Sequence, residues 1–175
     1  MFEQELLILG LLKGGPKHGY EIKRLINEVI QTFTYLDAES IYYPLRVMEQ
    51  KGYIAKEVSR SGRRPEKYIY HISAKGEQRF GELINKNFLS IKRPFFNIDL
   101  SLYFLPYVSG RLAKRRLSAR INLLKMVKNG LEKVSEKQIR AKVPSHLLSI
   151  LKHNLDLIRA EIKFTESLIT AEFKK

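Results

Sequence analysis

The sequence contains no cysteine and no tryptophan among its 175 residues. Without cysteine, disulfide bonds and thiolate chemistry are excluded, and a reducing cytoplasm is the expected setting. Without tryptophan, a ligand pocket lined by indole rings is excluded. Acidic residues are also scarce, because 18 Asp and Glu stand against 32 Lys and Arg.

Long apolar runs are missing as well. The longest run near the start, Leu6–Leu12, follows Glu3 and Glu5 rather than basic residues. A signal peptide has a basic segment before its apolar one, and a membrane-spanning helix needs about 20 mostly apolar residues. The sequence therefore predicts neither export nor insertion into a membrane.

The residue types needed for catalysis do not occur in useful arrangements. No nucleophile stands near a base in a known spacing, and no glycine-rich loop suits a phosphate. His146 and His153 are seven residues apart and could share a helix face, but no carboxylate or third histidine is spaced to complete a metal site. The sequence predicts no enzyme, no cofactor and no metal.

The basic residues are unevenly distributed. Residues 1–90 carry 14 Lys and Arg against 11 Asp and Glu, a net charge of +3, whereas residues 91–175 carry 18 against 7, a net charge of +11. The total of +14 favours a polyanionic partner such as nucleic acid. If charge density alone located a DNA site, that site would lie in the C-terminal half. Such a run is most often a solvated face, but it could add non-specific phosphate contacts. Its members are Lys114, Arg115, Arg116, Lys125, Lys128, Lys133 and Lys137.

Three helices are predicted before residue 52. The apolar segment 2–13 predicts a buried first helix that ends at Gly14-Gly15-Pro16, and a second helix is predicted from about Lys17 or His18 to Ile30. In a third helix, 39–51, three apolar residues recur at intervals of four and three and therefore share one face. These are Ile41, Leu45 and Met48, which leave Ser40, Tyr42, Tyr43 and Arg46 on the other faces.

Two strand-like segments follow the third helix. Residues 53–58 and 67–72 hold enough aromatic and β-branched residues to pair as a hairpin across the basic turn 59–65. A helix with exposed polar and aromatic side chains, followed by a hairpin with arginines at its tip, is how a winged helix reads DNA. Ser73 is a suitable N-cap for a fourth helix that runs to about Ile91, although Gly76 stands where a capping box would have Glu or Gln.

The C-terminal half is predicted to be helical. Lys92-Arg93-Pro94 marks a boundary, so we expect a winged-helix domain at 1–92 and a helical dimerisation domain at 93–175. An aromatic segment, 95–107, predicts a short helix closed by Pro106, and two long helices follow, separated by Pro144. Their apolar residues keep heptad-like spacing, which suits an antiparallel hairpin that also packs on another subunit. The residues predicted to dimerise are Leu117, Ile121, Leu124, Leu131, Leu148, Leu151, Leu155, Ile158 and Ile162.

The order of these elements and several motifs resemble the PadR-type bacterial transcriptional regulators. The resemblance covers roughly residues 5–80, and the C-terminal half is similar only in its helical character. The family usually has proline directly after the tyrosine of the third helix, but here Tyr43 stands there and Pro44 follows, which predicts a helix that starts late or has a distorted first turn. The matching residues are His18 to Ile22, Ser40 to Tyr42, Leu45, Arg46, Gly52 to Ile54, Gly62, Arg64, Pro65, Lys67, Tyr68, Tyr70, Ile72, Ser73 and Gly76.

The resemblance implies a mostly α fold, a winged helix-turn-helix with a dimerisation domain, and a dimeric regulator of transcription. We expect repression by promoter blockage and binding to a pseudo-palindromic site. The residues expected to contact DNA are Ser40, Tyr42, Tyr43, Arg46, Arg60, Arg63, Arg64 and Lys67. Relatives sometimes sense small aromatic molecules, so Phe95, Phe96, Tyr103 and Phe104 are candidates for an effector pocket, although they could instead pack against the winged helix.

Two other functional classes are considered at the level of sequence. An enzyme acting on nucleic acid would need a carboxylate cluster or metal ligands, which the sequence does not offer. The other class is a protein-interaction module. The third helix could be an ordinary amphipathic helix within a protein-interaction module, in which case the long helices would bind an acidic partner. Loss of Arg46 and Arg64 would then have no effect. For His18 and Gly19, ordinary structural roles are expected, namely local hydrogen bonds at a helix start and close packing.

Overall fold

The structure is a computed structural model that describes residues 2–33, 41–59, 67–91 and 97–173. It divides into two units, Met1–Lys92 and Arg93–Lys175. The first combines four helices with a three-stranded sheet, and the second consists of helices.

The first helix, α1 (Phe2–Lys13), runs through the core of the first unit. Its Ile8, Leu9 and Leu12 are buried among apolar residues of the later elements. The helix ends because Gly15 adopts a positive φ of 104°, which an L side chain rarely tolerates, and its N–H donates to the Leu12 carbonyl at 3.1 Å.

A short strand precedes the second helix, where the sequence alone predicts helix. Lys17–His18 form β1, and α2 runs from Gly19 to Phe33, so the predicted start at Lys17 or His18 is wrong. Two residues have no local signal that distinguishes a strand from a helix start. They become a strand because they pair antiparallel with Tyr70 and Ile69, which are distant in the sequence.

The third helix, α3 (Tyr42–Gln50), begins so that Pro44 is its third residue. The first N–H groups of a helix have no intrahelical partner, so a proline there removes no hydrogen bond. The first helical bond, from Leu45 N–H to the Ile41 carbonyl, has an ordinary length of 3.1 Å. The first turn is therefore not distorted by the displaced proline.

The predicted hairpin is confirmed, and it belongs to a three-stranded sheet. Strand β2 (Ile54–Ser59) pairs antiparallel with β3 (Lys67–Ile72) in a register that sets Ile54 opposite Ile72 and Ser59 opposite Lys67. The strand order is β1-β3-β2. The predicted basic turn between β2 and β3 lies outside the described residues.

The fourth helix, α4 (Ala74–Phe88), ends three residues before the predicted Ile91. Ser73 is its N-cap, as predicted, since its hydroxyl accepts a hydrogen bond from Gly76 N–H at 3.0 Å. The same hydroxyl donates to the Gly52 carbonyl at 2.6 Å, which ties the start of α4 to the end of α3.

In the second unit, a short helix and a 3₁₀ turn precede the long helices. Helix α5 (Asn97–Tyr103) is followed by a 3₁₀ turn, Leu105–Tyr107. Pro106 lies inside this turn rather than at the end of α5, so it follows the helix without closing it directly.

The two long helices are α6 (Gly110–Arg140) and α7 (Ser145–Glu172), and they pack against each other as a hairpin. Several residues predicted to dimerise are buried between these helices within a single chain: Leu117, Leu151, Leu155, Ile158 and Ile162. Ile121, Leu124, Leu131 and Leu148 are half-buried. This apolar seam stabilises the hairpin itself, and ion pairs flank it, such as Arg120 to Glu161 at 2.8 Å.

Candidate nucleic-acid interface

Helix α3 has one buried face and one exposed face. Ile41, Leu45 and Met48 are buried in the core of the first unit, as their spacing predicts. Tyr42 and Tyr43 remain 56% and 57% exposed, and Arg46 is also exposed. The two tyrosines and the arginine are thus available to a partner, whereas the apolar face holds the helix in place.

Arg46 and Tyr43 lie close together on the exposed face. The guanidinium carbon of Arg46 is 5.7 Å from the centre of the Tyr43 ring, a cation–π arrangement that holds the arginine side chain near the helix surface. A guanidinium can form two parallel hydrogen bonds with a guanine edge or with a phosphate. This part of α3 therefore presents the chemistry that DNA reading requires.

Of the other residues predicted to contact DNA, the structure describes only the backbone of Lys67. Ser40, Arg60, Arg63 and Arg64 lie outside the described residues. Lys67 opens β3, next to the hairpin turn, and its backbone pairs with Ser59.

An aromatic cleft lies beside the start of α3, where no local pattern in the sequence predicts one. It has a volume of about 160 Å³ and is lined by six residues from β1, α2, α3 and β3. These residues are His18, Gly19, Tyr20, Tyr42, Tyr68 and Tyr70. All six belong to the motifs that resemble the PadR-type regulators, but only folding brings their four segments together.

Local contacts hold His18 and Tyr20 in place at the aromatic cleft. The backbone N–H of His18 donates to the Glu21 carboxylate at 2.8 Å, and Nδ1 of His18 lies 3.3 Å from the Tyr68 carbonyl oxygen. The His18 ring stacks on Tyr20 with 5.4 Å between ring centres. The local hydrogen bonds predicted for His18 are therefore present.

Gly19 allows two aromatic rings to approach the start of α2. A Cβ atom at this position would lie 3.4 Å from the Tyr70 ring and 3.6 Å from the Tyr42 ring. These are ordinary van der Waals distances, so the close packing expected at Gly19 is present but an alanine would also fit. Its Cβ would take up space in the cleft.

Two tyrosines of β3 also line the cleft, Tyr70, which is buried, and Tyr68, which is 39% exposed. Burial raises the pKa of the Tyr70 phenol above its ordinary value, so this hydroxyl stays protonated at neutral pH. The ammonium of Lys56 lies 4.6 Å from the centre of the Tyr68 ring and 3.5 Å from the Glu49 carboxylate. Near these two tyrosines, the Tyr70 hydroxyl is therefore neutral and the charges of Lys56 and Glu49 are paired.

The basic residues of α6 are only partly available. Lys125 pairs with Glu166 at 3.1 Å, and Lys128 lies 3.8 Å from Glu132. Arg115, Arg116, Lys133 and Lys137 are exposed. The charge excess of the C-terminal half therefore includes cations that are already neutralised by ion pairs.

Of the four candidate effector residues, the structure describes two. Phe95 and Phe96 lie outside the described ranges, while Tyr103 and Phe104 are exposed and pack edge to face with 5.0 Å between ring centres. An open groove of about 490 Å³ lies nearby in the sequence, but other residues line it. They are Leu102, Leu105, Pro106, Val108, Leu168, Glu172 and Phe173.

Within 2–33, 41–59, 67–91 and 97–173, no group of three or more His, Cys, Asp or Glu side chains could hold a metal ion. In the same ranges, no helix is both long enough and apolar enough to cross a membrane.

The first unit has the defining elements of one class of protein. Three helices, a two-stranded wing and an exposed polar face on the third helix make it a winged helix-turn-helix unit. Residues 8–82 match the model of the transcriptional regulator PadR-like family. This segment of the chain is therefore similar to the PadR-like family of transcriptional regulators, in agreement with the motifs in its sequence.

Solved structures with the same fold cover nearly the whole chain. PadR of Bacillus subtilis in complex with operator DNA is 22% identical with a TM-score of 0.74, over 95% of this chain and 96% of that chain. The same protein in complex with p-coumaric acid is 21% identical with a TM-score of 0.71, over 98% and 96%. The virulence activator AphA of Vibrio cholerae is 16% identical with a TM-score of 0.71, over 95% and 96%. At these identities the likeness shows the shared fold.

Among curated protein sequences, none matches this chain significantly.

Proposed function

We propose that this protein is a sequence-specific DNA-binding regulator that reads an operator with α3. The observation that carries the proposal is the exposed face of α3, which presents Tyr42, Tyr43 and Arg46. The buried apolar face of the same helix anchors it in the core. Tyrosine hydroxyls suit phosphate oxygens, and the arginine suits a guanine edge. The structural neighbour in complex with operator DNA supports the same placement.

The wing is proposed to make the second set of contacts. In the sequence, the segment between β2 and β3 contains three arginines, and Lys67 follows it. The arginines are Arg60, Arg63 and Arg64. Arginines on a wing can enter a minor groove or neutralise phosphates. Ser40, two positions before the first residue of α3 in the sequence, completes the proposed set through a hydroxyl that can bond to phosphate.

The regulator is proposed to act as a homodimer. Two-fold symmetry would place two copies of α3 on a pseudo-palindromic site, with half-sites about one helical turn apart. The second unit is proposed as the dimerisation domain, and the first as the DNA-binding domain. The residues buried in the α6–α7 seam would support the dimer indirectly, because they hold the hairpin together.

The dimer surface itself is proposed to lie on an exposed apolar stripe of α6. Leu123 and Met126 are 63% and 70% exposed, and Val127 and Val134 continue the stripe at helical spacing. Apolar side chains that recur every three or four residues on a solvent-exposed helix are typical of a helix–helix interface. Leu157 and Phe164, seven residues apart on α7, are exposed as well.

Repression by promoter blockage is the simplest outcome of dimer binding, and a small aromatic ligand is proposed to release the DNA. The neighbour in complex with p-coumaric acid and the exposed Tyr103 and Phe104 support the ligand. Such a ligand must bind two dimer geometries unequally, because otherwise it could not shift their populations. The cytoplasm is the proposed compartment, since it holds the bacterial chromosome.

The test compares wild type with Arg46→Ala by fluorescence anisotropy. The probes are duplex DNA from upstream of the protein's own gene and a scrambled duplex, each at two salt concentrations. Loss of a bidentate base contact should weaken specific binding by about 1–3 kcal/mol and leave scrambled-duplex binding nearly intact. Arg140→Ala, in the other unit, removes the same charge and serves as the matched control.

The second candidate function is a protein-interaction module whose winged helix does not read DNA. The exposed apolar stripe and the exposed cations of α6 favour it over any enzymatic function. It predicts equal, weak binding of both duplexes and no effect of Arg46→Ala or Arg64→Ala. Equal losses on both duplexes would instead assign Arg46 to phosphate contacts and contradict base reading.

A further inference from the structure

The tip of the α6–α7 hairpin carries a basic surface. We define the hairpin tip as residues 137–153, which comprise the last turn of α6, the connecting segment and the first turns of α7. Four Lys and Arg and no Asp or Glu occur from residue 137 to residue 155, a local net charge of +4. The basic residues are Lys137, Arg140, Lys142 and Lys152, with His146 and His153 among them. All six side chains are exposed.

The carboxylates nearest to the hairpin tip in the sequence do not neutralise it. Glu132 pairs with Arg159 at 3.1 Å, and Asp156 lies 3.4 Å from the same guanidinium. Glu136 is exposed, and within residues 97–173 no cation of the tip lies at ion-pair distance from a carboxylate. Like charges repel each other, so this arrangement does not stabilise the hairpin. An acidic partner would supply the counter-charges.

The backbone at Lys142 is a second, independent observation. Its φ is 52°, in the left-handed region that favours glycine, and the other positive φ values among the described residues belong to Gly15 and Gly52. Its N–H donates to the Ile139 carbonyl at 3.0 Å, as at a helix end closed by glycine. A lysine where the backbone favours glycine indicates that its side chain has a role of its own.

Apolar side chains lie between the cations of the hairpin tip. Ile139, next to Arg140 in the sequence, is 58% exposed, and Val143 and Leu147 are half-buried. A phosphate backbone presents mainly charge to a protein. An acidic protein segment can present carboxylates and apolar side chains together. The composition of the tip therefore favours a protein partner over a nucleic acid.

We propose that the hairpin tip is a docking site for an acidic segment of another protein, in which carboxylates lie beside apolar side chains. The carboxylates pair with Lys137, Arg140 and Lys142, and the apolar side chains cover Ile139. Complementary charges of this kind select the partner and speed its association. The site lies within the second unit and does not depend on DNA reading by α3.

The first experiment titrates the whole chain against three short fluorescein-labelled peptides of equal length, followed by anisotropy. One peptide contains Glu, Asp and Leu, the second has Gln and Asn in place of the acids, and the third has Ser in place of Leu. The tip variant combines Lys137→Gln, Arg140→Gln and Lys142→Gln. The control variant removes the same charge from exposed residues at the start of α6, through Arg111→Gln, Arg115→Gln and Arg116→Gln. Circular dichroism checks that both variants are folded.

Wild type should bind the peptide of Glu, Asp and Leu more tightly than either of the other two. The tip variant should bind it at least about tenfold more weakly, because each exposed ion pair contributes roughly twofold to fivefold. The control variant should bind it as wild type does. Equal affinity of the tip and control variants, or no binding by wild type, would overturn the docking site.

A second variant, Lys142→Gly, should change stability and binding in opposite directions. Glycine relieves the positive φ, so the midpoint of thermal unfolding should rise, while the loss of one ion pair should weaken peptide binding by about twofold to fivefold. Lys142→Arg keeps the charge and should bind the peptide as wild type does. A more stable Lys142→Gly variant with unchanged peptide affinity would contradict the role of this side chain.

A mixed-sequence duplex titrated in parallel separates a protein partner from a nucleic acid. Loss of duplex affinity in the tip variant, with peptide affinity unchanged, would assign the tip to DNA and overturn a protein partner. Equal binding of the acidic peptides with Leu and with Ser would contradict an occupant that carries apolar side chains. Arg46→Ala should leave peptide affinity unchanged, so a failure of DNA reading and a failure of docking give different results.

Discussion

At the scale of single residues, close packing against the Tyr53 backbone explains why position 76 is a glycine. A Cβ atom at Gly76 would collide with the carbonyl oxygen of Tyr53, which approaches the first turn of α4. The same approach lets Ser73 N–H donate to that carbonyl at 3.0 Å. The glutamate or glutamine that a capping box would have at this position is therefore excluded by packing.

We predict that Gly76→Ala destabilises the first unit. The alanine must displace the backbone at the start of β2, and overpacking of this kind costs about 1–3 kcal/mol or more. Urea unfolding followed by circular dichroism would measure the change. Gly81→Ala in the same helix is the control, because its Cβ meets open space and should stabilise by up to about 1 kcal/mol. Equal stability of both variants would contradict the role assigned to Gly76.

At the scale of elements, α1 and α4 are joined by a charged pair inside an apolar interface. Glu5 is buried, and its carboxylate accepts from the Arg79 guanidinium at 2.8 Å. Arg79 also donates to Glu82 at 3.1 Å. The hydrogen bonds to Glu5 and Glu82 raise the pKa of the Arg79 guanidinium above its ordinary value. The guanidinium therefore stays charged at any physiological pH.

We predict that Arg79→Ala costs about 1–3 kcal/mol of unfolding free energy, because it leaves the buried Glu5 carboxylate without its charged partner. Unfolding at neutral pH would measure the cost. Removal of both charges in Glu5→Leu with Arg79→Leu should recover much of the stability, since apolar residues can replace a buried pair. A double variant less stable than Arg79→Ala would show that the pair contributes more than the desolvation it requires.

At the scale of the whole molecule, dimerisation and hairpin stability involve different faces of α6. Leu117 is buried in the seam with α7, whereas Met126 is 70% exposed on the apolar stripe. We predict that Met126→Glu shifts the protein from dimer to monomer without unfolding it. Sedimentation equilibrium would measure the association, and circular dichroism the helix content.

The matched control is Leu117→Ala, which should lower stability by about 2–5 kcal/mol through the cavity it leaves in the seam. If Met126→Glu leaves the dimer intact while Leu117→Ala dissociates it without unfolding the hairpin, the dimer surface would be the seam and the exposed stripe would have another role.

Local patterns in the sequence were enough to predict most of the first unit. The spacing of Ile41, Leu45 and Met48 predicted which face of α3 is buried, because helical periodicity alone decides which side chains share a face. The hairpin pairing of β2 and β3 was predicted from the aromatic and β-branched residues of two segments that flank a basic turn in the sequence. The strand β1 was missed because it depends on its pairing with Tyr70 and Ile69, more than fifty residues away.

The second unit shows the complementary limit of sequence patterns. Heptad spacing predicted that Leu117, Leu151 and Leu155 lie at a helix–helix interface, and they do. The spacing is the same for contacts within one chain and between two chains, so it could not say which interface they form. The exposed stripe of α6 became visible only when the seam with α7 was known.

By itself, the sequence determined the helices, the hairpin, the family resemblance of the first unit and the exposed residues of α3. Each of these depends on neighbours within a few residues or on motifs that can be read in order. The tertiary structure alone decided the strand β1, the reason for Gly76 and the aromatic cleft of His18, Tyr20, Tyr42 and Tyr68. These features join segments that are far apart in the chain, and their contacts exist only after the core of the first unit has brought those segments together.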